Sequence, residues 1–294
     1  MNNHHSTKQS PEQEDLIFRI FSRNPKEREM LRKKHLVIVG VGSVGSAIAV
    51  MAARAGVGKF TLIDNDDIDA ENLGRHVCDL SHLFRSKCRA VTELIEQINP
   101  DADVMPVEED FRNVDRIGIA LDARGGDTLL VAATDSFECQ SLVNQLSLEE
   151  GLPAVYIGCW GEATIGVILY VVPRRTACFE CYAGFRRKTE ALSLNDPRKY
   201  TDLDFDQTKV PGQAGLWPNI LIICGFAFQV ILALLGDEKR EKQLLDFEHS
   251  LLLVNVGDFD SPLQPLAVTP ASVERGCAIC DESKLLEDDE LEIF

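Results

Sequence analysis

This 294-residue chain has no uninterrupted apolar run of the roughly 18 residues that a membrane-spanning helix needs. Its opening segment, Met1 to Glu14, is polar and lacks the apolar core of a secretion signal. Basic residues are scarce. Thirty Lys and Arg against 47 Asp and Glu give a formal net charge of −17. A nucleic-acid-binding surface is usually basic, so that class of partner is disfavoured. No internal repeat is apparent. Together these absences lead us to expect a cytoplasmic protein that engages neither membrane nor nucleic acid, and whose partner is neutral or locally basic.

What is present begins with His35-Leu-Val-Ile-Val-Gly-Val-Gly-Ser-Val-Gly45. An apolar strand runs into a glycine turn, a helix of small residues follows, and a second apolar run, Phe60 to Ile63, ends in Asp64. Gly40 permits the turn, Gly42 lets a phosphate approach the backbone, and Gly45 lets helix and strand pack closely. Ser43 opens a helix whose free N–H groups attract an anion. Asp64 lies 24 residues after Gly40, near the offset of a ribose-binding acid. This unit is a nucleotide-binding turn.

Residues 1–14 read as a disordered arm, and Asp15 to Lys34 as short helices broken near Pro25. Ser86 to Ile98 has helical periodicity, and Asp103 to Val107 reads as a strand. Leu129 to Asp135 is an apolar strand ending in an acid, followed by a helix from Phe137 to Glu149. Pro153 to Ile157 is a further strand, and Glu162 to Val172 alternates like an antiparallel one. Residues 182–217 read as a long crossover loop. Asn219 to Leu235 is a buried apolar helix, Leu251 to Val256 a last strand, and residues 282–294 an acidic tail. The expected fold is therefore α/β: a Rossmann-like, mostly parallel sheet covered by helices on both faces, with antiparallel additions.

Nine cysteines are many for a reducing compartment. Four form two C-x-x-C pairs, Cys178/Cys181 and Cys277/Cys280. Each pair can grip one face of a tetrahedral ion, so the four are expected to make a closed, structural zinc site. Cys159, just past a strand, is a weak candidate nucleophile, and Cys224 reads as core.

Taken in order, Gly40-Val-Gly-Ser-Val-Gly45, Leu62-Ile-Asp64-Asn-Asp66, Asn72-Leu-Gly-Arg75, Lys87, Thr134-Asp135 and the paired C-x-x-C motifs resemble the ThiF/MoeB/HesA superfamily. These are adenylating enzymes related to the ubiquitin-activating enzyme. The resemblance spans residues 16–280 and makes 15–281 one adenylation domain. It implies attack of the C-terminal carboxylate of a ubiquitin-like or sulfur-carrier protein on the α-phosphate of ATP, with release of pyrophosphate. Asp64 would then hold the ribose, Asn72, Arg75 and Lys87 the phosphates, and Asp135 Mg²⁺; Asp66 is a further candidate near ribose or metal. Phe21-Ser22-Arg23 matches the family's motif for an arginine supplied by the partner subunit of a homodimer, with Arg19 as the substitute. A conjugating enzyme is a possible further partner in such families.

Other readings share the fold. A peptide-tailoring adenylyltransferase of the microcin C type would need more than the 34 residues that precede the first strand. An enzyme like the tRNA threonylcarbamoyladenosine dehydratase must bind tRNA, against the charge of −17. A pseudoenzyme that only binds ATP or a partner would not need Asp64, Arg75, Lys87 and Asp135 together. Between Ala183 and Trp217 the chain has no cysteine, where relatives that pass their substrate on as a thioester or persulfide carry one.

Overall fold

The structure is a computed structural model and describes residues 11–116, 118–119, 127–160, 163–184, 215–236, 248–256, 267–277 and 279–280. Its first strand, β1 (His35–Val39), is buried throughout. The run Leu-Val-Ile-Val is continuous because both of its faces enter a core. Leu36 and Ile38 pack into one cluster, Val37 and Val39 into the other. The same alternation recurs along β2 (Lys59–Ile63), where Phe60 and Leu62 oppose Ile63. β3 is Asp103–Val107, and β4 (Thr128–Ala132) again sends Leu129 and Val131 one way and Leu130 and Ala132 the other.

Strands β3, β2, β1, β4 and β5 (Ala154–Trp160) are parallel neighbours in that order. Then β6 (Ile165–Val171), β7 (Leu251–Asn255) and β8 (Ala267–Ala271) extend the sheet antiparallel, giving eight strands. The chain leaves β1 toward β2 and β3, then returns to the other side of β1 as β4. That reversal opens a crevice at the carboxyl ends of the strands, where open α/β sheets bind ligands.

Six α-helices lie wholly among the described residues: α1 (Pro11–Ile20), α2 (Pro25–Leu31), α3 (Ser43–Ala55), α4 (Lys87–Ile98), α5 (Phe137–Glu150) and α6 (Trp217–Leu234). Helices α3, α4 and α6 cover one face through Ile48, Val91, Ile95, Ile223 and Ile231. Helix α5 covers the other with Val143 and Leu146. The alanines of α3 let it lie against both α4 and α6. Arg28 pins α2 to the end of α3. Its guanidinium donates to Gly56 O at 3.1 Å and to Asp101 Oδ2 at 2.6 Å, and lies over the Phe21 ring.

The expected α/β fold, with its parallel sheet, antiparallel additions and two covered faces, is the one observed. Three local expectations change. Helix α1 begins at Pro11, inside the expected arm of residues 1–14. Leu251–Asn255 is not the last strand, because β8 follows and pairs with it. Helix α6 begins at Trp217, and its 18 residues are long and apolar enough to cross a membrane by length and composition. Its position is nonetheless that of a core helix, packed against α3, β5 and β6 with Ile223, Cys224, Ala227 and Ile231 buried. Residues 1–10, most of the crossover loop (185–214) and the acidic tail 282–294 lie outside the described residues.

Candidate active site at the strand ends

Gly40 leaves β1 at φ +87°, and a Cβ there would stand 2.7 Å from Ala133 O. Glycine is required on both counts. Gly45 sits one turn into α3, where a Cβ would come within 1.8 Å of Gly40 O. A Cβ at Gly42 would meet nothing within 4 Å. The loop is thus tight against the protein at its two ends and open in the middle. Gly42 is also the N-cap of α3 and supplies no side chain to its first N–H groups. Those donors, with Ser43 at the first helical position, are what an anion meets.

Asp64 follows β2 and braces this loop. Its Oδ2 accepts from Val41 N–H at 2.7 Å and its Oδ1 from Asp66 N–H at 2.9 Å. Burial pushes the carboxyl above the usual aspartate range; nearby Lys87 and the two backbone N–H donors counter part of that shift. Beyond it, residues 66–68 pair with 84–87 through Lys87 N–H to Asp66 O and Ile68 N–H to Arg85 O. This pairing places the buried Lys87 Nζ 2.7 Å from Asp66 Oδ2. Asp66, itself exposed, is the counter-ion of the buried Lys87. An ammonium has three donors, so Lys87 keeps further capacity toward a phosphate.

Asn72 and Arg75 lie on the 3₁₀ turn Ala70–Arg75. Asn72 Oδ1 accepts from Asp69 N–H at 3.0 Å in a capping box, which leaves its amide nitrogen as the donor. The next residue, His76, was not singled out by the sequence, yet its ring reaches back to the glycine loop, with Nε2 2.9 Å from Val41 O. Nothing in the spacing of the motifs signals this contact.

Asp135 is exposed in the turn between β4 and α5. That turn is held by Ser136 N–H to Thr134 Oγ1 at 3.2 Å and by Gln140 Nε2 to Thr134 O at 2.8 Å. The glycine loop abuts the same strand end, because Gly40 touches Ala133 and Thr134. The ends of β1, β2 and β4 thus bring together Gly40, Gly42, Ser43, Gly45, Asp64, Asp66 and Lys87, with Asp135 in the adjoining turn. Arg19 and Arg23 are exposed on α1 and on the α1–α2 connection, outside this cluster of contacts.

On the α5 side, Cys178, Cys181, Cys277 and Cys280 place their sulfurs within 4.8 Å of one another. Adjacent Sγ–Sγ separations are 3.9, 3.5, 3.5 and 3.7 Å. A disulfide needs about 2.05 Å. Four thiolates at about 2.3 Å from a central ion stand about 3.8 Å apart. The set fits a tetrahedral metal and leaves no position open for substrate. The other five cysteines are disfavoured as thiolates. Burial pushes the Cys159 thiol up to about 12, Cys88 to about 12 and Cys78 to about 11, and raises Cys139 and Cys224 as well.

The ThiF family model matches residues 13–262. Over 165 residues the chain is 34% identical to ubiquitin-like modifier-activating enzyme 5 of Culex quinquefasciatus, covering 53% of this chain and 41% of that protein. It is 32% identical over 160 residues to the sulfur carrier protein ThiS adenylyltransferase of Bacillus subtilis (strain 168), covering 53% and 46%. The matches thus span less than half the length of these curated relatives. Among solved structures, E. coli MccB with ATP superposes with a TM-score of 0.64 at 18% identity, over 93% of this chain and 75% of that one. PaaA superposes with a TM-score of 0.61 at 18% identity, over 93% and 88%. At that identity the likeness is one of fold.

Proposed function

The chain belongs to the ThiF family, and from that premise we propose that it is an adenylyltransferase that activates the C-terminal carboxylate of a small ubiquitin-like or sulfur-carrier protein with ATP. The names of its relatives support the substrate class. The observation that carries the chemistry is the linked set Val41–Asp64 and Asp66–Lys87 at the open middle of the glycine loop.

In this reading the ribose hydroxyls donate to Asp64. The N–H groups at the start of α3, with Asn72, Arg75 and Lys87, surround the phosphates. The substrate carboxylate is already ionised at neutral pH, so no general base is needed. Its oxygen bonds to the α-phosphorus as the bond to the pyrophosphate oxygen breaks. Two anions must meet, and the cationic donors offset their repulsion and the charge that develops on the phosphoryl oxygens. Asp135 would hold Mg²⁺, which neutralises phosphate charge when bound. The four cysteines would hold zinc, a structural cross-link. Arg23 would enter the site of the partner subunit in a homodimer. In support, α1 exposes Leu16 and Ile20 one turn apart on one face of the segment that leads to it, an apolar patch for a second subunit to cover. Burial raises each of the five non-cluster thiols, which supports a reaction of this chain that stops at the acyl-adenylate.

The test is isotopic exchange between ATP and pyrophosphate in the presence of ubiquitin-like and sulfur-carrier proteins ending in Gly. Exchange is expected only with a cognate protein, and Asp135→Ala lowers it about 100-fold or more. No exchange with any of them, or exchange unaltered by Asp135→Ala, refutes the reading. Mass spectrometry of the same mixture should show an adenylate and no cysteine adduct.

A further inference from the structure

His76 is a buried polar residue that the chemistry above does not use. Its ring bridges two backbone groups. Cys78 N–H lies 3.1 Å from Nδ1, and Val41 O lies 2.9 Å from Nε2. A backbone N–H only donates, so Nδ1 is the acceptor and the hydrogen is on Nε2. Nε2–H therefore donates to the Val41 carbonyl. The Val41 N–H, at the other end of the same residue, goes to Asp64. Both polar groups of Val41 are thus taken by side chains from distant parts of the chain, 23 and 35 residues away.

Peptide planarity turns this into a statement about Gly42. The described backbone has no cis bond, and in a trans peptide the C=O of one residue and the N–H of the next point in opposite directions. The peptide before Val41 shows the rule at work. Its N–H points to Asp64, and the Gly40 carbonyl, on the other side, lies against Gly45, where a Cβ would be 1.8 Å from it. At the next peptide the Val41 carbonyl is drawn to His76. The Gly42 N–H is then aimed away from His76, at the one glycine of the loop whose Cβ direction is open.

We propose that His76 is a positioning residue for the nucleotide: it fixes the peptide plane that presents Gly42 N–H to the triphosphate, and fastens the neighbouring Arg75 segment to the same loop. This rests on the adenylation reading and deepens it. An ordinary core histidine would affect folding alone. A loop-orienting one affects phosphate binding and leaves the nucleoside end alone.

The experiment measures binding of ATP and of adenosine to the full chain by calorimetry or competition. The variants are His76→Phe, which fills the ring's place without a donor, and His76→Gln, whose side-chain amide can donate to Val41 O. His76→Phe is expected to weaken ATP about tenfold, in keeping with one lost hydrogen bond, and to leave adenosine unchanged. His76→Gln is expected to bind ATP within about threefold of the unaltered chain, a difference below that of one hydrogen bond. Equal weakening of ATP and adenosine, no weakening of ATP, or equal loss in both variants overturns the proposal. An unaltered chain that binds ATP but exchanges no pyrophosphate refutes adenylation and leaves this comparison valid; one that binds no ATP overturns both.

Discussion

His76 and Asp64 brace one loop and are driven by burial toward opposite responses to acid. Burial is the chief cause that holds the His76 imidazole below its ordinary range, with Lys87 and His82 adding repulsion and the bond to Val41 O opposing them. In the unfolded chain the same ring takes its proton near 6.5. Below that value the unfolded state binds a proton that the folded state resists, so stability falls as the pH drops from about 6.5 toward the folded value. Asp64 has the reverse sign. Its folded pKa is raised, so it takes its proton earlier in the folded state and adds stability as the pH falls toward its unfolded value of 3.8. Comparing the chain with His76→Gln isolates the histidine. Denaturant unfolding between about pH 7.5 and pH 5.5 should show a loss on the order of 1 kcal/mol in the unaltered chain that is reduced in the variant. Parallel curves for the two proteins would contradict it. Asp64 and the glycines were legible in the sequence because strand-turn-helix chemistry restricts which residues fit there, whereas Lys87 was legible only through the family resemblance. His76 was not, because its contact with Val41 depends on how two loops fold over each other.

At the level of elements, continuous apolar runs made β1, β2 and β4 readable, because both faces of each enter a core, and the small residues of α3 marked its close packing. Strand β8 was hidden for an equally physical reason. Ala-Val-Thr-Pro-Ala is short, half-exposed and contains Pro270, which is tolerated because β8 is the edge strand. Also hidden was how α5 meets the first cysteine pair. Phe137, Ser141 and Asn144 fall at helical spacing on one face. Phe137 contacts the Phe179 ring at 5.3 Å, Ser141 donates to Glu180, and Asn144 Oδ1 accepts from Phe179 N–H at 3.0 Å. Phe179 and Glu180 are the two residues between Cys178 and Cys181, so the cysteine knuckle is docked on the helix that begins just after Asp135. Asn144 is buried, and Asn144→Ala would leave the Phe179 N–H without its acceptor. The expected cost is about 1–3 kcal/mol in unfolding free energy, while four thiols still bind one metal ion by elemental analysis. A variant as stable as the unaltered chain would show that the contact contributes nothing net.

Across the whole molecule, the four-cysteine cluster is the long-range tie. Cys178 meets Cys277 and Cys181 meets Cys280, each across 99 positions. The enclosed segment contains α6 and two of the three antiparallel strands, β7 and β8, whereas β1, β2, β4 and β6 lie outside it. A bound ion would therefore act as a covalent staple does, restricting the unfolded chain most where the loop is long. By the loop-entropy relation, closing about 100 residues is worth at most about 4.7 kcal/mol. Metal removal by a chelator, or the double change Cys277→Ser with Cys280→Ser, should lower unfolding stability by about 3–5 kcal/mol on that scale. The loss should also be local. Amide hydrogen exchange should quicken first in β7 and β8, which lie inside the loop that the tie closes, while β1, β2 and β4, which share one core with the four cysteines but lie outside that loop, keep more of their protection. If exchange instead quickens equally in all strands, the cluster stabilises the sheet as one cooperative unit. If stability is unchanged in both the chelated protein and the double variant, the four sulfurs hold no ion that matters to the fold.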